Sequence, residues 1–321
     1  MTGAVRGDKA MRALVTGAGG FVGRHLTAEL QGQGWDVTAA GGPADSTLAL
    51  RIDLTDEDSL RDAVEGAEPD VVFHLAAQSF VPESLRAPQE TYEVNVLGTA
   101  RLFSALRAYA VGAGATPRLF FTSSAEIYGA RGTSDLPLLE SSSPQPRNPY
   151  AASKAAAEAV LLGEMYAFGG DVVIARAFNH IGPGQSERFA APSFARGLAE
   201  IAAGGERVLE VGNLDAERDI LDVRDVVRAY VALAQHGECG EVYNVCSGHA
   251  VAMRDLLREL ILLAGVPVEV RTDPKRMRPS EVPVSIGSNA KLVERTGWSP
   301  RITLRESLRD IYDDARKRLV P

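Results

Sequence analysis

Residues 16–23 read TGAGGFVG and place three glycines, Gly17, Gly20 and Gly23, at three-residue intervals. The apolar run RALVT leads into them and predicts a β-strand, and FVGRHLTAELQGQG predicts a helix directly afterwards. Glycines between a strand and a helix let the backbone turn tightly and approach a pyrophosphate, whose charge meets the free N–H groups of the helix. The stretch therefore predicts a dinucleotide-binding site. A glycine turn needed only for packing is the alternative.

Short apolar runs alternate with helix-like stretches through the first half of the chain. The strand-like runs are WDVTAA, LALRID, PDVVFHLAA, RLFFTSS and DVVIARAF. Between the third and fourth of these, ETYEVNVLGTARLFSALRAYA predicts one long helix. Strands separated by helices form right-handed βαβ units, so the predicted fold class is α/β, a Rossmann-type doubly wound parallel sheet. Ligands of such a sheet bind beyond the carboxyl ends of its strands.

The pattern changes after Phe178. The stretch NHIGPGQSERFAAPSF is rich in Gly, Pro and polar residues and predicts a loop, whereas DVRDVVRAYVALAQ and EVYNV predict a return to the first domain. MRDLLRELILLAG, VEVRTD and LRESLRDIYDDARKRL predict a smaller mixed α/β substrate-binding domain. The predicted organisation is an NAD(P)-binding domain over 12–177 plus 216–247, a nucleotide-sugar-binding domain over 178–215 plus 248–321, and a loose leader over 1–11.

Composition and charge exclude several classes of protein. The chain is 45% hydrophobic and 24% charged, which is ordinary for a globular protein, and its net charge of −8 argues against general nucleic-acid binding. No apolar run reaches the ~18 residues of a membrane span, and the N-terminus lacks a signal-peptide core. Cys239 and Cys246 are too few for a disulfide framework or a cysteine-rich metal site. We therefore expect a cytoplasmic protein with no metal and no membrane partner.

The stretch NPYAASKAAAE, residues 148–158, places Tyr150 and Lys154 about one helical turn apart. Alanines favour a helix here, and Pro149 suits its first turn. An isolated pair of this kind is more often a solvated helix with a buried aromatic. Beside a dinucleotide fingerprint, and with Ser124 at the end of a predicted strand, we interpret it as a catalytic triad. Tyr150 is the proton donor, Lys154 lowers its pKa and reaches the nicotinamide ribose, and Ser124 orients the carbonyl.

The choice of cofactor depends on the end of the second predicted strand. NAD-binding sites usually place an acid there to hold the ribose hydroxyls. The sequence reads AAGGPADS, with no carboxylate before Asp45 and no arginine. NADPH is therefore slightly favoured over NADH. Asp53, after the third strand, is a candidate for the adenine side, or alternatively a helix N-cap with Thr55.

Four motifs, TGAGGFVG, HLAAQSFV, SSAEIYG and YAASK, together resemble the extended short-chain dehydrogenase/reductases that act on nucleotide sugars. The stretches ARAFNHIGPGQ, VGNLDAERDILDVRDVVRAY, YNVCSG, RPSEVPVSIGSNAKL and TGWSPRI are similar to the GDP-mannose branch, and most of all to its GDP-6-deoxy-4-keto-mannose reductases. The resemblance runs from about Met11 to the C-terminus. It implies a homodimer that reduces the 4-keto group of GDP-4-keto-6-deoxy-D-mannose to give GDP-D-rhamnose with NADPH or NADH.

The resemblance also implies a set of binding residues. Those for the cofactor are Gly17, Gly20, Phe21, Val22, Gly23, Asp53, Leu54, Leu75, Ala76, Ala77, Tyr150 and Lys154. Those for the substrate are Ser79, Ser124, Glu126, Asn179, Val211, Gly212, Asn213, Arg218, Arg278 and Glu281. In that branch Asn179 faces the diphosphate, Arg218 and Arg278 neutralise it, and Glu281 accepts hydrogen bonds from the ribose, while 211–213 line the base. Without the resemblance, the two arginines would be interpreted as surface cations paired with Asp219 and Glu281.

Reductases, 4,6-dehydratases and 4-epimerases share this fold and triad. GDP-mannose dehydratases carry Thr-Ser-Glu after the fifth strand and end the glycine loop with Gln-Asp-Gly, because they must also remove a proton at C5. Here residues 124–126 are Ser-Ala-Glu and residues 21–23 are Phe-Val-Gly. The loop argues against a dehydratase. Glu126 argues for one, as a catalytic residue, unless it only supports the active-site loop. The sequence favours a reductase, leaves the dehydratase and the epimerase as alternatives, and leaves open which C4 epimer is made. A non-catalytic dinucleotide sensor would not need the triad.

Overall fold

The computed structural model describes residues 10–277 and 282–319. The strands are β1 (Arg12–Thr16), β2 (Asp36–Gly41), β3 (Leu50–Arg51), β4 (Val71–His74), β5 (Arg118–Ser124), β6 (Asp171–Ala177), β7 (Asn179–Ile181), β8 (Val208–Val211), β9 (Glu217–Asp222), β10 (Val242–Val245), β11 (Ala250–Ala252), β12 (Glu269–Thr272) and β13 (Val284–Ser285). The α-helices are α1 (Phe21–Gly32), α2 (Glu57–Ala67), α3 (Val81–Arg86), α4 (Pro88–Tyr92), α5 (Gly98–Ala113), α6 (Pro149–Phe168), α7 (Ala190–Ala202), α8 (Val223–His236), α9 (Met253–Ala264), α10 (Ala290–Thr296) and α11 (Leu304–Leu319). A π-helical turn covers Glu93–Leu97, and 3-10 turns include Ala125–Tyr128 and Pro274–Arg276.

Seven strands form one sheet in the order β10-β6-β5-β4-β1-β2-β3. β1 pairs in parallel with both β2 and β4, and β4 pairs in parallel with β5. The predicted doubly wound parallel sheet is thereby confirmed. β2 and β3 lie on one side of β1, whereas β4, β5, β6 and β10 lie on its other side. The carboxyl end of β1 therefore lies at the switch of strand order, where ligands of such sheets bind, and the glycine motif follows it directly.

Three sequence predictions of local structure are wrong in part. The predicted strand LALRID shortens to Leu50–Arg51, because this edge strand pairs only with the last two residues of β2. The predicted long helix is interrupted by the π-helical turn Glu93–Leu97. The predicted loop 179–194 contains β7 and the start of α7. Pro192 is tolerated there because the first N–H groups of a helix have no intrahelical partner.

The chain divides into two compact units. The first comprises Met1–Thr122, Asn148–Ile174 and Leu233–Glu241, and the second comprises Ser123–Arg147, Ala175–Ala232 and Val242–Pro321. This division follows packing and not ligand binding, so the predicted functional domains and their boundaries stay predictions. The predicted leader falls almost wholly on residues 1–9, outside the described part of the chain.

The second unit builds a mixed α/β core. Helices α7, α9 and α11 pack on one another, and fully buried leucines fill the space between them: Leu198, Leu256, Leu260 and Leu308. β8 pairs in parallel with β12, while β9 pairs with β7, β11 and β13. This unit carries most of the predicted substrate-binding residues.

Within residues 10–277 and 282–319, no helix combines the length and the apolar character that crossing a bilayer requires.

Candidate functional site

The three glycines after β1 each meet a different steric requirement. Gly17 adopts a positive φ of 72°, and a Cβ there would lie 2.8 Å from Ala76 N. A Cβ on Gly23 would overlap Gly17 O, so the third glycine lets α1 pack against the turn. Gly20 is exposed, and a Cβ there would meet only Gly17 O at 3.1 Å. A tight turn, an open backbone and close helix packing are the three roles of a dinucleotide-binding loop, so the loop fits a pyrophosphate.

The segment after β4 lies directly beside this loop. Leu75 N donates to Thr16 O at 3.2 Å, and Ala76 N donates to Thr16 Oγ1 at 3.2 Å. Leu75, Ala76 and Ala77 are all half-buried. The structure therefore brings the cofactor residues predicted after β1 and β4 to the same edge of the sheet. Phe21 and Val22, the first two residues of α1, are also half-buried beside the loop.

The residues predicted for the adenine side follow β3. Asp53 Oδ1 accepts hydrogen bonds from Thr55 N at 2.9 Å and Thr55 Oγ1 at 2.7 Å, and these bonds lower the pKa of the Asp53 carboxyl. The N-cap of α2 is Asp56, not Asp53. The Leu54 side chain is buried under the start of α5, where a Cβ on Gly98 would approach it to 2.7 Å. Leu54 can therefore line a ligand site with its backbone.

Two charged side chains lie close to the end of β2. In the sequence the first carboxylate after this strand is Asp45, and the stretch AAGGPADS contains no arginine. In the structure Arg51 of β3 lies opposite Gly41, the last residue of β2. The Asp45 carboxylate folds back against Gly41 and against Gly19 of the glycine motif. Both charges therefore reach the edge where a cofactor ribose would bind.

Tyr150 and Lys154 lie on the first two turns of α6. Asn148 caps this helix, because its Oδ1 accepts from Ala151 N at 2.8 Å, and Pro149 is the first helical residue. Tyr150 is half-buried, whereas Lys154 is only 3% exposed. The helix thus presents a phenol near its start and a buried ammonium one turn later on the same face.

The Lys154 ammonium is held by a backbone carbonyl and an aromatic ring. Its Nζ donates to Thr122 O at 2.7 Å and lies 4.8 Å from the centre of the Phe121 ring. Burial lowers the pKa of Lys154 to about 8, and Glu158 opposes that effect. Burial also lowers the pKa of His74 to about 3, helped by the Lys154 charge. His74 is accordingly neutral, and its two ring nitrogens are hydrogen-bonded to Thr16 Oγ1 at 2.8 Å and Thr99 Oγ1 at 3.0 Å.

Asn95 is a buried polar residue near the site that the sequence did not single out. It lies in the π-helical turn and is 1% exposed. Its amide nitrogen donates to Gln78 O and to Ser153 Oγ, both at 2.9 Å, and its oxygen accepts from Gln78 N at 2.8 Å. Asn95 therefore ties the segment that carries Ser79, which is exposed, to the turn between Tyr150 and Lys154. The sequence around Asn95 has an unbroken helical pattern, which gave no sign of the π-helical turn. Such turns are frequent at functional sites.

Ser124 and Glu126 begin the 3-10 turn that follows β5. Ser124 Oγ accepts from Glu126 N at 3.2 Å. A hydroxyl that accepts one bond can still donate another. Ser124 is buried and Glu126 is exposed.

The same 3-10 turn is anchored by a buried polar network. Tyr128 Oη donates to Asn244 Oδ1 at 2.7 Å and accepts from Arg176 Nη1 at 2.9 Å. Asn244 N donates to Glu140 Oε1 at 2.9 Å, and Asn244 Nδ2 donates to Leu138 O at 3.0 Å. A satisfied network of this kind fixes a loop in one conformation, and here it fixes the backbone that carries Glu126.

Asn179 and Arg218 lie on neighbouring strands. Asn179 of β7 pairs with Ile220 of β9, two residues beyond Arg218. Paired residues and every second residue of a strand share a face, so both side chains belong to the same face of this sheet. Asp219, between them, is buried on the other face and accepts hydrogen bonds from Ser247, Gly248 and Gly287. The structure thus brings together the two described residues that were predicted to contact a diphosphate.

Residues 211–213 cover the last residue of β8 and the two residues after it. Val211 is fully buried in the core of the second unit, so its side chain serves packing. Gly212 leaves no room for a side chain, because a Cβ would lie 2.6 Å from Arg276 O. Asn213 Oδ1 accepts from Asp215 N at 2.9 Å. The predicted Arg278 and Glu281 lie outside the described residues.

The family model described as GDP-mannose 4,6 dehydratase matches residues 14–311. The chain belongs to this family. Among its relatives, a protein of Pseudomonas aeruginosa named GDP-6-deoxy-D-mannose reductase is 44% identical over 96% of this chain and 98% of its own length. A GDP-mannose 4,6-dehydratase of Vibrio cholerae is 29% identical over 92% of this chain and 91% of its own.

A solved structure has the same fold as this chain. The structure of RMD from Pseudomonas aeruginosa complexed with NADPH has a TM-score of 0.85 and 42% identity, covering 96% of this chain and all of that one. The resemblance of the sequence motifs to nucleotide-sugar short-chain dehydrogenase/reductases is thereby confirmed. Within the GDP-mannose 4,6-dehydratase family, this chain is more similar to the reductase than to the dehydratase.

Proposed function

We propose that the chain is an NADPH-dependent oxidoreductase that reduces GDP-4-keto-6-deoxy-D-mannose to GDP-D-rhamnose. The observation that carries this proposal is the 44% identity, over nearly the full length of both chains, to a GDP-6-deoxy-D-mannose reductase. The glycine loop after β1 and the Tyr150–Lys154 helix supply the parts that such chemistry requires.

The dinucleotide would be held by residues of the first unit. The open backbone at Gly20 and the N-terminus of α1 suit a pyrophosphate, and Asp53 with Leu54 suits the adenine side. Leu75, Ala76 and Ala77 would flank the cofactor, and Lys154 would reach the nicotinamide ribose. When bound, the reduced nicotinamide supplies a hydride to the C4 carbonyl.

The proton that completes the reduction comes from Tyr150. Delivery of hydride to C4 leaves negative charge on the carbonyl oxygen, which must be protonated to give the alcohol. Protonated Lys154 stabilises the phenolate that remains on Tyr150, and so lowers the pKa of the phenol. Ser124 would donate a hydrogen bond to the same oxygen and orient the carbonyl.

The substrate's nucleotide would be held by residues of the second unit and by Ser79. Arg218 and Arg278 would neutralise the diphosphate, and Asn179 would donate a hydrogen bond to it. Glu281 would accept from the ribose, and residues 211–213 would line the base. The common face of Asn179 and Arg218 supports this part of the proposal.

A 4,6-dehydratase is the second candidate, favoured by the family model and by an exposed carboxylate at Glu126. We expect wild-type protein given GDP-mannose and NADP⁺ to form no 4-keto sugar. Given GDP-4-keto-6-deoxy-D-mannose and NADPH, it should form GDP-D-rhamnose, identified by NMR. The 4-epimerase alternative predicts interconversion of GDP-hexoses without net oxidation or reduction.

Glu126→Gln separates the same two candidates at one residue. A reductase needs no further acid–base group, so this variant should reduce the 4-keto sugar at a rate within about tenfold of wild type, short of a general acid's contribution. Progress curves of NADPH oxidation measure this. Formation of a 4-keto sugar from GDP-mannose that Glu126→Gln abolishes would instead establish the dehydratase.

Gly20→Ala tests the cofactor site independently of turnover. The backbone at Gly20 has φ −69° and ψ 173°, which alanine tolerates, and a Cβ there would meet only Gly17 O, at 3.1 Å. A methyl group there would meet a pyrophosphate that approaches the backbone, so we expect NADPH to bind about 10–100-fold more weakly, as for an inserted methyl that must displace its neighbours. Calorimetry measures the affinity. Gly32→Ala, in the same helix with open space around it, is the control and should bind normally.

Arg218→Ala tests the diphosphate site. Loss of a charge-assisted hydrogen bond, worth ~1.5–3 kcal/mol, should weaken GDP binding by about 10–100-fold. Guanosine, which lacks phosphates, should bind wild type and variant alike in the same calorimeter. Arg258→Ala, an exposed arginine of α9, is the control. Equal affinity of Arg218→Ala and wild type for GDP would mean that Arg218 is only a surface cation.

We also propose a cytoplasmic homodimer. Exposed apolar side chains, Leu85, Tyr92 and Leu97, lie on α3, α4 and the π-helical turn, all of which pack against α6. A second copy would cover them, and sedimentation should then give about twice the monomer mass.

Cys239 and Cys246 are free thiols, which suits a reducing compartment such as the cytoplasm.

A further inference from the structure

The turn after β2 folds an acidic side chain back onto the glycine motif. Asp45 N donates to Gly42 O at 2.9 Å, and Asp45 Oδ1 accepts from Thr47 N at 2.9 Å and Thr47 Oγ1 at 2.6 Å. The second carboxylate oxygen, Oδ2, fills the space beside two glycines. A Cβ on Gly19 would overlap this oxygen, and a Cβ on Gly41 would lie 2.7 Å from it. Asp45 thus occupies a notch that exists because both neighbours lack side chains.

Two arginines adjoin the same notch. Arg24 of α1 donates from Nη1 to Gly19 O at 2.7 Å. Arg51 of β3 lies opposite Gly41 in the parallel pair. The hydrogen bonds from Thr47 lower the pKa of Asp45 most, and the charges of Arg51 and Arg24 add to that effect. Asp45 is therefore a fixed anion beside two exposed cations.

The notch lies where the adenosine ribose of a dinucleotide meets a doubly wound sheet. At the end of the second strand, an acid accepts a hydrogen bond from a free 2′-hydroxyl, whereas an arginine accommodates a 2′-phosphate. This notch holds both kinds of group. Guanidinium groups bind phosphate in a matching geometry, and a carboxylate repels it.

We propose that Arg24 and Arg51 bind the 2′-phosphate of NADPH, and that Asp45 occupies their anion position until the phosphate displaces it. Asp45 then sets the preference between NADPH and NADH, because only the phosphorylated cofactor must compete with it. The inference rests on the proposed function and names the residues that govern its cofactor choice.

The experiment measures the dissociation constants of NADPH and NADH by calorimetry on full-length wild type and variants. Asparagine at position 45 keeps an oxygen that can accept from Thr47, so the turn persists. We expect Asp45→Asn to bind NADPH about tenfold more tightly and NADH about as tightly as before, because a like charge beside the phosphate is removed. Arg51→Gln should weaken NADPH about tenfold and spare NADH. Asp36→Asn, an exposed carboxylate at the start of β2, should change neither.

The gain in Asp45→Asn should shrink at about 1 M salt, since exposed charges are then screened over ~3 Å. An unchanged affinity of Asp45→Asn for NADPH would overturn the proposal. So would a selective loss of NADH affinity, which would make Asp45 a ligand of the free 2′-hydroxyl. If wild type bound neither dinucleotide, the proposed function itself would fail, and the two failures are therefore distinguishable.

Discussion

Tyr150→Phe lowers the turnover number for GDP-4-keto-6-deoxy-D-mannose by about 10²–10⁴-fold, the contribution of a positioned general acid. Phenylalanine keeps the ring on the first turn of α6 but cannot donate a proton to the C4 oxygen. The affinity for NADPH should barely change. Stopped-flow measurement of NADPH oxidation in a single turnover reports the chemical step directly.

Tyr166→Phe is the matched control for that variant. Tyr166 lies on the same helix, is 78% exposed, and has no role in the proposed chemistry. Its replacement should leave turnover unchanged. Activity of Tyr150→Phe within about threefold of wild type, against the expected loss, would remove Tyr150 from the mechanism.

Lys154→Met should lower turnover by about 10²–10³-fold, because the buried positive charge that stabilises the Tyr150 phenolate is lost. The pH dependence gives a second readout. Burial lowers the pKa of Lys154 to about 8, so the charge is present below pH 8 and lost as pH rises through it. Wild-type turnover should therefore fall above about pH 8, and the residual turnover of Lys154→Met should lack that step.

The same group predicts how stability depends on pH. The folded chain releases the Lys154 proton at a pKa of about 8, whereas the ordinary value is 10.5. Between these values the unfolded state binds more protons, so the contribution of Lys154 to the free energy of unfolding rises with pH there. Urea unfolding of wild type and Lys154→Met at pH 7.5 and 10 measures the difference. A constant difference between the two proteins would contradict the lowered pKa.

The sequence predicted the parts of the fold that depend on local signals. The glycines after β1, the alternation of strands and helices, and Asn148 with Pro149 at the start of α6 act within a few residues, and the structure has each where it was expected. The family resemblance added the reductase activity, which no pattern of hydrophobicity could supply.

The features that the sequence missed depend on distant partners. Asn95 bonds to Ser153, 58 positions away, and its role appears only when α6 packs against the π-helical turn. Nothing in the local sequence connects Arg51 with the end of β2, because the path of the chain between β2 and β3 decides where Arg51 lies. β3 has only two of the six residues predicted for this strand, since an edge strand extends only as far as it pairs with its partner. These are tertiary effects that override local propensity.

The π-helical turn at Glu93–Leu97 also determines which changes of chain length the first unit can accept. A π-helical turn holds one residue more than an α-helical turn. Deleting one residue here would let α4 and α5 join as a regular helix, so the helix itself would survive. The residues on one side of the deletion would turn by about 100° relative to the other, and Asn95 would leave Gln78 and Ser153. A helix shortened by one residue could therefore still form, but the segment around Gln78 would lose its hydrogen bonds to Asn95.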